Sequence, residues 1–385
     1  MTESNMTKQE ITKPLPKQSL NLPEGSYIRY KDIYILPIIK KSAQTNVPPL
    51  TPKIYPMQFE YTKTLQIIHY PSVLYFIPSK QNNFRLKLSK SALANTVSIN
   101  PIDEKWFIIG LTNGMVQLKN LDDFQQECYK FEDNQPVHIK WRSEYEVIIG
   151  TKDGNLYVMN VERFMTNGKE EATAAPQPTI ENSKFDIKKI EWEERKLDSI
   201  QCLACQGEYL AVSGNHKLYI FKNLKLIQII NTYFGEFTCI HFVSTNVMAV
   251  GGQDDRIHLF YRTDQSWQLT AQCVGHSNFI TAIAFDPYIS DNDFYRLLSV
   301  GEDGNLGFWD IPKKMETLEV ELTKRHQVYP EEETLTTIYP IRLQTIHPQG
   351  VPLISLLVTP KFVKVLCNQL QMYSFHRPNT FIKET

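Results

Sequence analysis

Three residues of the types that form a hydrolytic triad lie close together in the sequence, at His276, Ser299 and Asp303. A hydrolase of this kind usually exposes its serine on a Gly-x-Ser-x-Gly turn, whereas Ser299 lies within a predicted strand. We therefore predict a buried structural network without catalysis, because buried polar groups need hydrogen-bonding partners. Asp303 would accept a hydrogen bond from His276, and His276 would bond Ser299. Ser299 would in turn bond the indole of Trp309.

Two cysteines form a C-x-x-C pair, Cys202 and Cys205, within the predicted strand SIQCLACQ. Structural zinc needs a second pair of ligands at suitable spacing, and the nearby sequence has none. The turn GGQDDR at 251–256 lacks the lysine and the hydroxyl residue of a phosphate-binding loop. The sequence therefore predicts no metal, no cofactor and no enzymatic activity. The six cysteines are expected to be core thiols.

The composition indicates a folded protein with a large core, since 42% of the residues are hydrophobic and 22% are charged. The formal net charge of −1 gives no electrostatic reason to expect nucleic acid or an anionic membrane as a partner. No apolar run approaches the roughly 18 residues that span a bilayer. The polar N-terminal sequence lacks the pattern of a signal peptide. The sequence thus favours the cytoplasm or the nucleus.

A repeated sequence pattern predicts the strands and turns on which these residues lie. Each repeat has a small residue, then a turn rich in Asp, Asn or Gly, then a strand that alternates apolar and polar residues. The clearest repeats are GLTNGMVQL (110–118), GTKDGNLYV (150–158), SGNHKLYIF (213–221), GGQDDRIHLF (251–260) and GEDGNLGFWD (301–310). Most of them recur at about 40–50 residues, close to the length of a four-stranded propeller blade.

The stretch 275–311 carries the strongest signal, because it begins with Gly-His and ends with Trp-Asp, the signature of a WD repeat. Weaker repeats at 70–80 and 362–378 bring the number of units to seven. The sequence therefore predicts an all-β, seven-bladed WD-repeat β-propeller. The segment 27–39 could close the ring by pairing with the last blade, which would remove an open sheet edge.

The segments outside these repeats set the predicted boundaries. We expect the propeller to occupy residues 23–378, between a disordered tail at 1–22 and a C-terminal tail at 379–385. Two polar stretches, 163–196 and 312–350, are predicted to be loop insertions. Within the second stretch, TLEVELTKRH could form either a short helix or a short strand.

Two aromatic residues, Phe234 and Phe279, occupy equivalent positions just before predicted innermost strands. In a propeller this connection lies on the top face, near the mouth of the central channel. An aromatic side chain there can pack against the next blade. Alternatively, it can anchor an interface, since hot spots of interfaces are enriched in aromatic residues. The sequence leaves both interpretations open.

Several segments follow one another in a characteristic order: LPEGSYIRY, YFGEFTCIHF, AVGGQDDRIHLF and GHSNFITAIAFDPY, followed by YRLLSVGEDGNLGFWDI, VPLISLLVTPKFVKVL and SFHRP. This order resembles that of the creC / WD repeat-containing protein 20 family, whose members activate ubiquitin-specific proteases. The resemblance covers most of 22–378 and is most specific at 233–311 and 351–378. The sequence departs from the family in having only ISDNDF between AFDPY and YR, where relatives carry a long insert.

This resemblance implies a non-catalytic subunit whose top face binds a ubiquitin-specific protease and raises its activity. A second WD-repeat protein could join the assembly, and neither nucleic acid nor membrane is implied. Phe234 and Phe279 would correspond to aromatic residues with which the family contacts the protease. Fungal relatives are linked to carbon catabolite repression. The alternative is a general WD-repeat scaffold, such as a ubiquitin-ligase substrate receptor or a trafficking adaptor.

Overall fold

The computed structural model describes part of the chain. The described residues are 28–29, 34–35, 58–62, 65–70, 72–78, 83–89, 91–122, 126–167, 185–191, 199–231, 235–263, 266–289, 293–313, 336–346, 351–368 and 371–377. They form seven sheets, and the predicted seven-bladed all-β propeller is confirmed. The predicted tails at 1–22 and 379–385 and the stretch TLEVELTKRH lie outside the described residues.

Each blade is an antiparallel meander, and we name its strands a to d from the channel outward. Blade 1 comprises Gln58–Tyr61, Leu65–Tyr70, Val73–Pro78 and Phe84–Lys87. Blade 2 comprises Ala94–Ile99, Trp106–Leu111, Met115–Asn120 and Gln126–Lys130. Blade 3 comprises Pro136–Trp141, Glu146–Thr151, Leu156–Asn160 and Asp186–Lys189, with the short helix Glu162–Asn167 after its strand c.

The next three blades follow the same plan. Blade 4 comprises Cys202–Gln206, Tyr209–Gly214, Lys217–Lys222 and Lys225–Asn231. Blade 5 comprises Phe237–Phe242, Val247–Gly252, Arg256–Arg262 and Trp267–Val274, and Thr336–Ile338 pairs with its strand d in parallel. Blade 6 comprises Ile280–Phe285, Phe294–Gly301, Asn305–Pro312 and Arg342–Thr345.

Blade 7 closes the ring with strands from both parts of the chain. Its strands a to c are Leu353–Val358, Phe362–Cys367 and Gln371–His376. The short strands Ile28–Arg29 and Tyr34–Ile35 pair antiparallel with strand c and take the place of strand d. Strand a of blade 7 also lies beside strand a of blade 1. The N-terminal segment therefore closes the propeller by the pairing that the sequence suggested.

The turns between strands b and c explain the recurring Asn-Gly and Asp-Gly pairs. Gly114 and Gly304 have φ angles of +84° and +75°, a region that residues with a Cβ rarely adopt. A Cβ at Gly114 would also lie 2.6 Å from the carbonyl oxygen of Phe131. Position 114 therefore requires glycine, both because of its positive φ angle and because a side chain there would clash with the backbone of Phe131.

The two predicted insertions are narrower than expected, because each contains blade strands. Asp186–Lys189, inside the predicted insertion 163–196, is strand d of blade 3. Thr336–Ile338 and Arg342–Thr345, inside the predicted insertion 312–350, are outer strands of blades 5 and 6. An outermost strand buries little of either face, so it lacks the apolar alternation that marks an inner strand. The mainly exposed sequence DIKK illustrates this.

Side chains on the inner strands join one blade to another. Thr281 Oγ1 donates to the carbonyl oxygen of Leu353 in the next blade over 2.6 Å. Lys140 in blade 3 forms an ion pair with Glu60 in blade 1, with 2.6 Å between Nζ and Oε1. Apolar clusters fill the spaces between adjacent blades. Among the described residues, no helix has the length and hydrophobicity needed to cross a membrane.

Candidate functional site on the top face

The meander brings two kinds of connection to one end of the propeller. The connection from strand d of one blade to strand a of the next lies at the same end as each b–c turn. In blade 6 these two connections touch, because the Glu302 N–H donates to the Phe279 carbonyl oxygen over 2.9 Å. We call this end the top face, and we call the end with the a–b and c–d connections the bottom face.

Phe279 lies on the top face with 37% of its surface exposed, although the next residue, Ile280, is completely buried. Its backbone N–H donates to Asn278 Oδ1 over 2.8 Å, which orders the end of the connection. The ring is thus partly packed against the protein and partly open to a partner. Phe234, which holds the equivalent place one blade earlier in the sequence, lies outside the described residues.

The polar network of blade 6 lies directly beneath this connection. His276 Nδ1 lies 2.9 Å from Asp303 Oδ2, and His276 Nε2 lies 2.7 Å from Ser299 Oγ. The indole N–H of Trp309 donates to Ser299 Oγ over 2.8 Å. One tautomer satisfies every contact: Nδ1–H donates to Asp303, Nε2 accepts from the serine hydroxyl, and the serine oxygen accepts from the indole.

The same contacts place a serine, a histidine and an aspartate in the order of a catalytic triad, yet the site cannot act on a substrate. Ser299 and Trp309 are completely buried, so no substrate can reach the serine oxygen. Burial alone would raise the pKa of Asp303. The hydrogen bond from His276, together with the N–H groups of Asn305 and Ser277, instead lowers this pKa to about 2. The network therefore holds a carboxylate in a fixed position.

That carboxylate orders the connection that carries Phe279. Asp303 Oδ2 accepts a hydrogen bond from the backbone N–H of Ser277 over 3.0 Å. Gly301 leaves room for this arrangement, because a Cβ there would lie 2.9 Å from the Phe279 carbonyl oxygen and 3.1 Å from His276 Nδ1. The network thus fixes the backbone of the connection on the top face.

Negative charge accumulates beside this network, between blades 5 and 6. Asp255 lies in the b–c turn of blade 5 with a φ angle of +64°. Its pKa is raised by partial burial and by the like charges of Asp254 and Asp303. Carboxylates therefore lie close to the connection that carries the aromatic side chain of Phe279.

Both cysteines of the C-x-x-C pair lie in strand a of blade 4. Cys202 lies opposite Ser213 in the sheet and Cys205 lies opposite Leu210, so the two thiols point to opposite faces of one strand. Cys202 Sγ lies 2.9 Å from Ser213 Oγ. Burial raises the pKa of both thiols, that of Cys205 to about 12. In the part of the chain that the structure describes, no three His, Cys, Asp or Glu residues are grouped to hold a metal ion.

A buried ion pair that the sequence does not predict lies on the bottom face. Arg377 Nε donates to Asp286 Oδ2 over 2.7 Å, and their side chains are only 6% and 0% exposed. Arg377 Nη1 also donates to the Pro360 carbonyl oxygen over 2.7 Å, and the guanidinium lies 4.7 Å from the centre of the Tyr288 ring. The motifs AFDPY and SFHRP contain these residues, but no local pattern relates two partners so distant in sequence.

No protein-family model matches the chain. The chain is similar to the UBP9-binding protein bun62 of Schizosaccharomyces pombe, with 26% identity over 245 residues that cover 60% of this chain and 39% of that protein. It is also 26% identical over 186 residues to histone acetyltransferase type B subunit 2 of Candida glabrata, covering 48% of this chain and 40% of that protein. The matches thus span about two fifths of the length of these relatives. The first relative confirms the resemblance that the motifs indicated.

Solved structures share the architecture at low sequence identity. A chain of the mitotic checkpoint complex has a TM-score of 0.61 at 13% identity, covering 87% of this chain and 97% of that chain. The WD40 β-propeller domain of Doa1 has a TM-score of 0.56 at 11% identity, covering 84% of this chain and 93% of that chain. At these identities the likeness establishes the fold alone. The chain is a WD-repeat β-propeller.

Proposed function

We propose that this propeller is a non-catalytic regulatory subunit that binds a ubiquitin-specific protease and raises its activity. The observation that carries the proposal is the similarity to a protein named for binding UBP9, which agrees with the motif resemblance. The partly exposed Phe279, held on an ordered connection, supports the top face as the binding surface. The partner is the protease catalytic subunit, which a second WD-repeat protein can join in the cytoplasm or the nucleus.

The physical route is a shift in the conformational population of the protease. A propeller that binds the active conformer more tightly than the inactive one enriches the active conformer. A coupling free energy of about 1–3 kcal/mol corresponds to roughly 5–150-fold activation. Phe279 contributes buried aromatic area on binding, and Phe234 is the second anchor of the same proposal. The propeller itself takes no part in the bond cleavage.

Affinity purification of the tagged chain from its own cells, followed by mass spectrometry, identifies the protease. Calorimetry and hydrolysis of a fluorogenic ubiquitin substrate then measure binding and kcat/KM with purified proteins. We expect the wild-type chain to raise kcat/KM, and Phe279→Ala to weaken binding by at least about 30-fold, which corresponds to the roughly 2 kcal/mol of an interface hot spot.

The matched control is Ile102→Ala, since Ile102 is exposed but lies on the bottom face between strands a and b of blade 2. This variant should bind and activate as the wild type does. Recovery of a ubiquitin-ligase subunit or a trafficking adaptor, with no effect on protease rate, would replace the proposal with the general scaffold function. If Phe279→Ala and Ile102→Ala weaken protease binding equally, the top face is not the binding surface.

A further inference from the structure

A second surface lies on the circumference of the propeller, where residues 336–346 cross from one blade to the next. Thr336–Ile338 first pairs in parallel with strand d of blade 5. Arg342–Thr345 then pairs antiparallel with strand c of blade 6. Both are the outermost strands of their sheets within the described residues. We call residues 336–346 the crossing segment.

The crossing segment is well anchored. The Ile341 N–H donates to the Phe308 carbonyl oxygen over 2.8 Å, and the Ile346 N–H donates to the Gly304 carbonyl oxygen over 3.0 Å. Pro340 packs closely on Gly275, since a Cβ added at position 275 would lie 2.9 Å from the proline ring. The backbone of the crossing segment is therefore fixed, and it holds the exposed side chains of the segment in place.

Those exposed side chains are apolar. Tyr339, Ile341 and Leu343 occupy alternate positions and are 65%, 56% and 37% exposed. Edge strands usually carry charged residues that prevent further pairing, and this row has none. A contiguous exposed apolar row on a sheet edge is typical of an interaction surface.

The backbone of the same strand is open for pairing. The bond from Ile346 to Gly304 and the pairing of Gln344 with Leu306 direct the N–H and C=O groups of Gln344 toward strand c of blade 6. The N–H and C=O groups of Leu343 and Thr345 therefore point away from the sheet. Within the part of the chain that the structure describes, no strand pairs with this edge.

One cation lies beside this row. Arg342 is on the opposite side of the strand from Ile341 and Leu343, and partial burial lowers its pKa. No carboxylate of the described residues forms an ion pair with it. A partly desolvated guanidinium without a carboxylate gains most from an acidic group supplied by a partner. The edge thus combines an apolar row on one side with an available positive charge on the other.

We propose that the crossing segment binds an extended segment of a partner protein in which apolar and acidic residues alternate. This segment adds a strand beside Arg342–Thr345, and its backbone bonds Leu343 and Thr345. Its apolar side chains cover Ile341 and Leu343, and an acidic side chain meets Arg342. Added strands of this kind take their affinity from backbone hydrogen bonds and their specificity from alternate side chains. The surface is separate from Phe279, so one propeller can hold two partners.

Fluorescence anisotropy with the full chain tests this proposal. The probe is a labelled peptide of alternating leucine and glutamate, and the comparison peptide has lysine in place of glutamate. We expect the wild type to prefer the glutamate peptide. Arg342→Glu should weaken that binding by at least about tenfold and reverse the preference, because the interaction is a charge pair. Ile341→Lys should abolish binding of both peptides.

The matched control is Ile227→Lys, which replaces an exposed isoleucine in strand d of blade 4 with a charged residue. This variant should bind both peptides as the wild type does. Circular dichroism and thermal melting verify that each variant is folded. Equal binding to all variants, or no reversal by Arg342→Glu, would overturn the proposal.

Two other occupants give distinct results, and either would also overturn the proposal. The chain's own stretch 317–322, TLEVEL, has the same alternation. If replacing 314–335 with a Gly-Ser linker raises peptide affinity more than about tenfold, the chain itself occupies the edge. If sedimentation shows a wild-type dimer that Ile341→Lys dissociates, a second copy occupies it.

Discussion

Replacing Arg377 with methionine should destabilise the propeller far more than removing an exposed ion pair. Methionine retains an apolar stem of similar length but removes the charge that faces Asp286. The carboxylate of Asp286 would then keep the backbone N–H of Tyr288, at 3.0 Å, and lose its ion-pair partner while fully buried. Removing one member of a buried pair costs about 3–5 kcal/mol, because the remaining charge stays desolvated.

The position of this pair adds to the expected loss. Arg377 directly follows strand c of blade 7, with which Ile28–Arg29 pairs to close the ring. Asp286 directly follows strand a of blade 6. The pair therefore ties the closing blade to its neighbour. We expect Arg377→Met to lower the free energy of unfolding by about 3–5 kcal/mol, with little change in protease activation on the opposite face.

Urea denaturation followed by circular dichroism at pH 7 measures this effect. The control is Lys105→Met, which removes the exposed pair of Lys105 with Asp122 and should leave the midpoint unchanged. The double variant Asp286→Asn with Arg377→Met should be more stable than Arg377→Met alone, because no buried charge remains. Equal midpoints for Arg377→Met and Lys105→Met, or no recovery of stability in the double variant, would contradict this prediction.

The pKa shifts give two further predictions, both measured by urea denaturation across a pH series. In the folded protein the pKa of Asp303 is lowered from the ordinary 3.8 to about 2. The ionised carboxylate therefore adds about 2 kcal/mol to the free energy of unfolding above pH 4, and this amount is lost as the pH falls toward 2. The stability gap between wild type and Asp303→Asn should therefore be larger at pH 5 than at pH 3, and an unchanged gap would contradict this. The pKa of His69 is also lowered, from 6.5 to about 4, because the imidazole is buried. The free energy of unfolding should therefore be unaffected by His69 above pH 6.5 and should fall by about 2 kcal/mol by pH 5, because the unfolded chain binds the proton more tightly. His69→Gln removes this effect, so its free energy of unfolding should decrease less than that of the wild type between pH 7 and pH 5. Parallel profiles for wild type and His69→Gln would refute that assignment.

The repeated hairpins were predictable because strands b and c carry strong local signals. The predicted repeat at 301–310 contains the b–c turn and most of strand c of blade 6. Its alternating apolar residues and its Asp-Gly turn follow from burial on both faces and from a tight reversal. The residues of the WD network were equally visible, since His276 and Trp309 lie at fixed places in the repeat.

The outer strands were not predictable in the same way. Arg342–Thr345 lies far along the chain from strand c of blade 6, with the undescribed residues 314–335 before it. Its sequence has no strong pattern, because an edge strand is only half covered. The sequence predicts Phe279 as a possible anchor, because its position before an innermost strand recurs between blades. It places Arg342 and its apolar neighbours within a loop insertion, because their short strand has no strong local pattern.

The amino-acid sequence alone predicts the seven-unit repeat, the all-β fold and the polar network of blade 6, because these depend on residues close together in the chain. Which distant segments meet is visible only in the folded protein. Closure of the ring brings Ile28–Arg29 to blade 7, and the packing of blade 6 on blade 7 brings Asp286 to Arg377. Such contacts are set by the geometry of the closed ring, which no single stretch of sequence encodes.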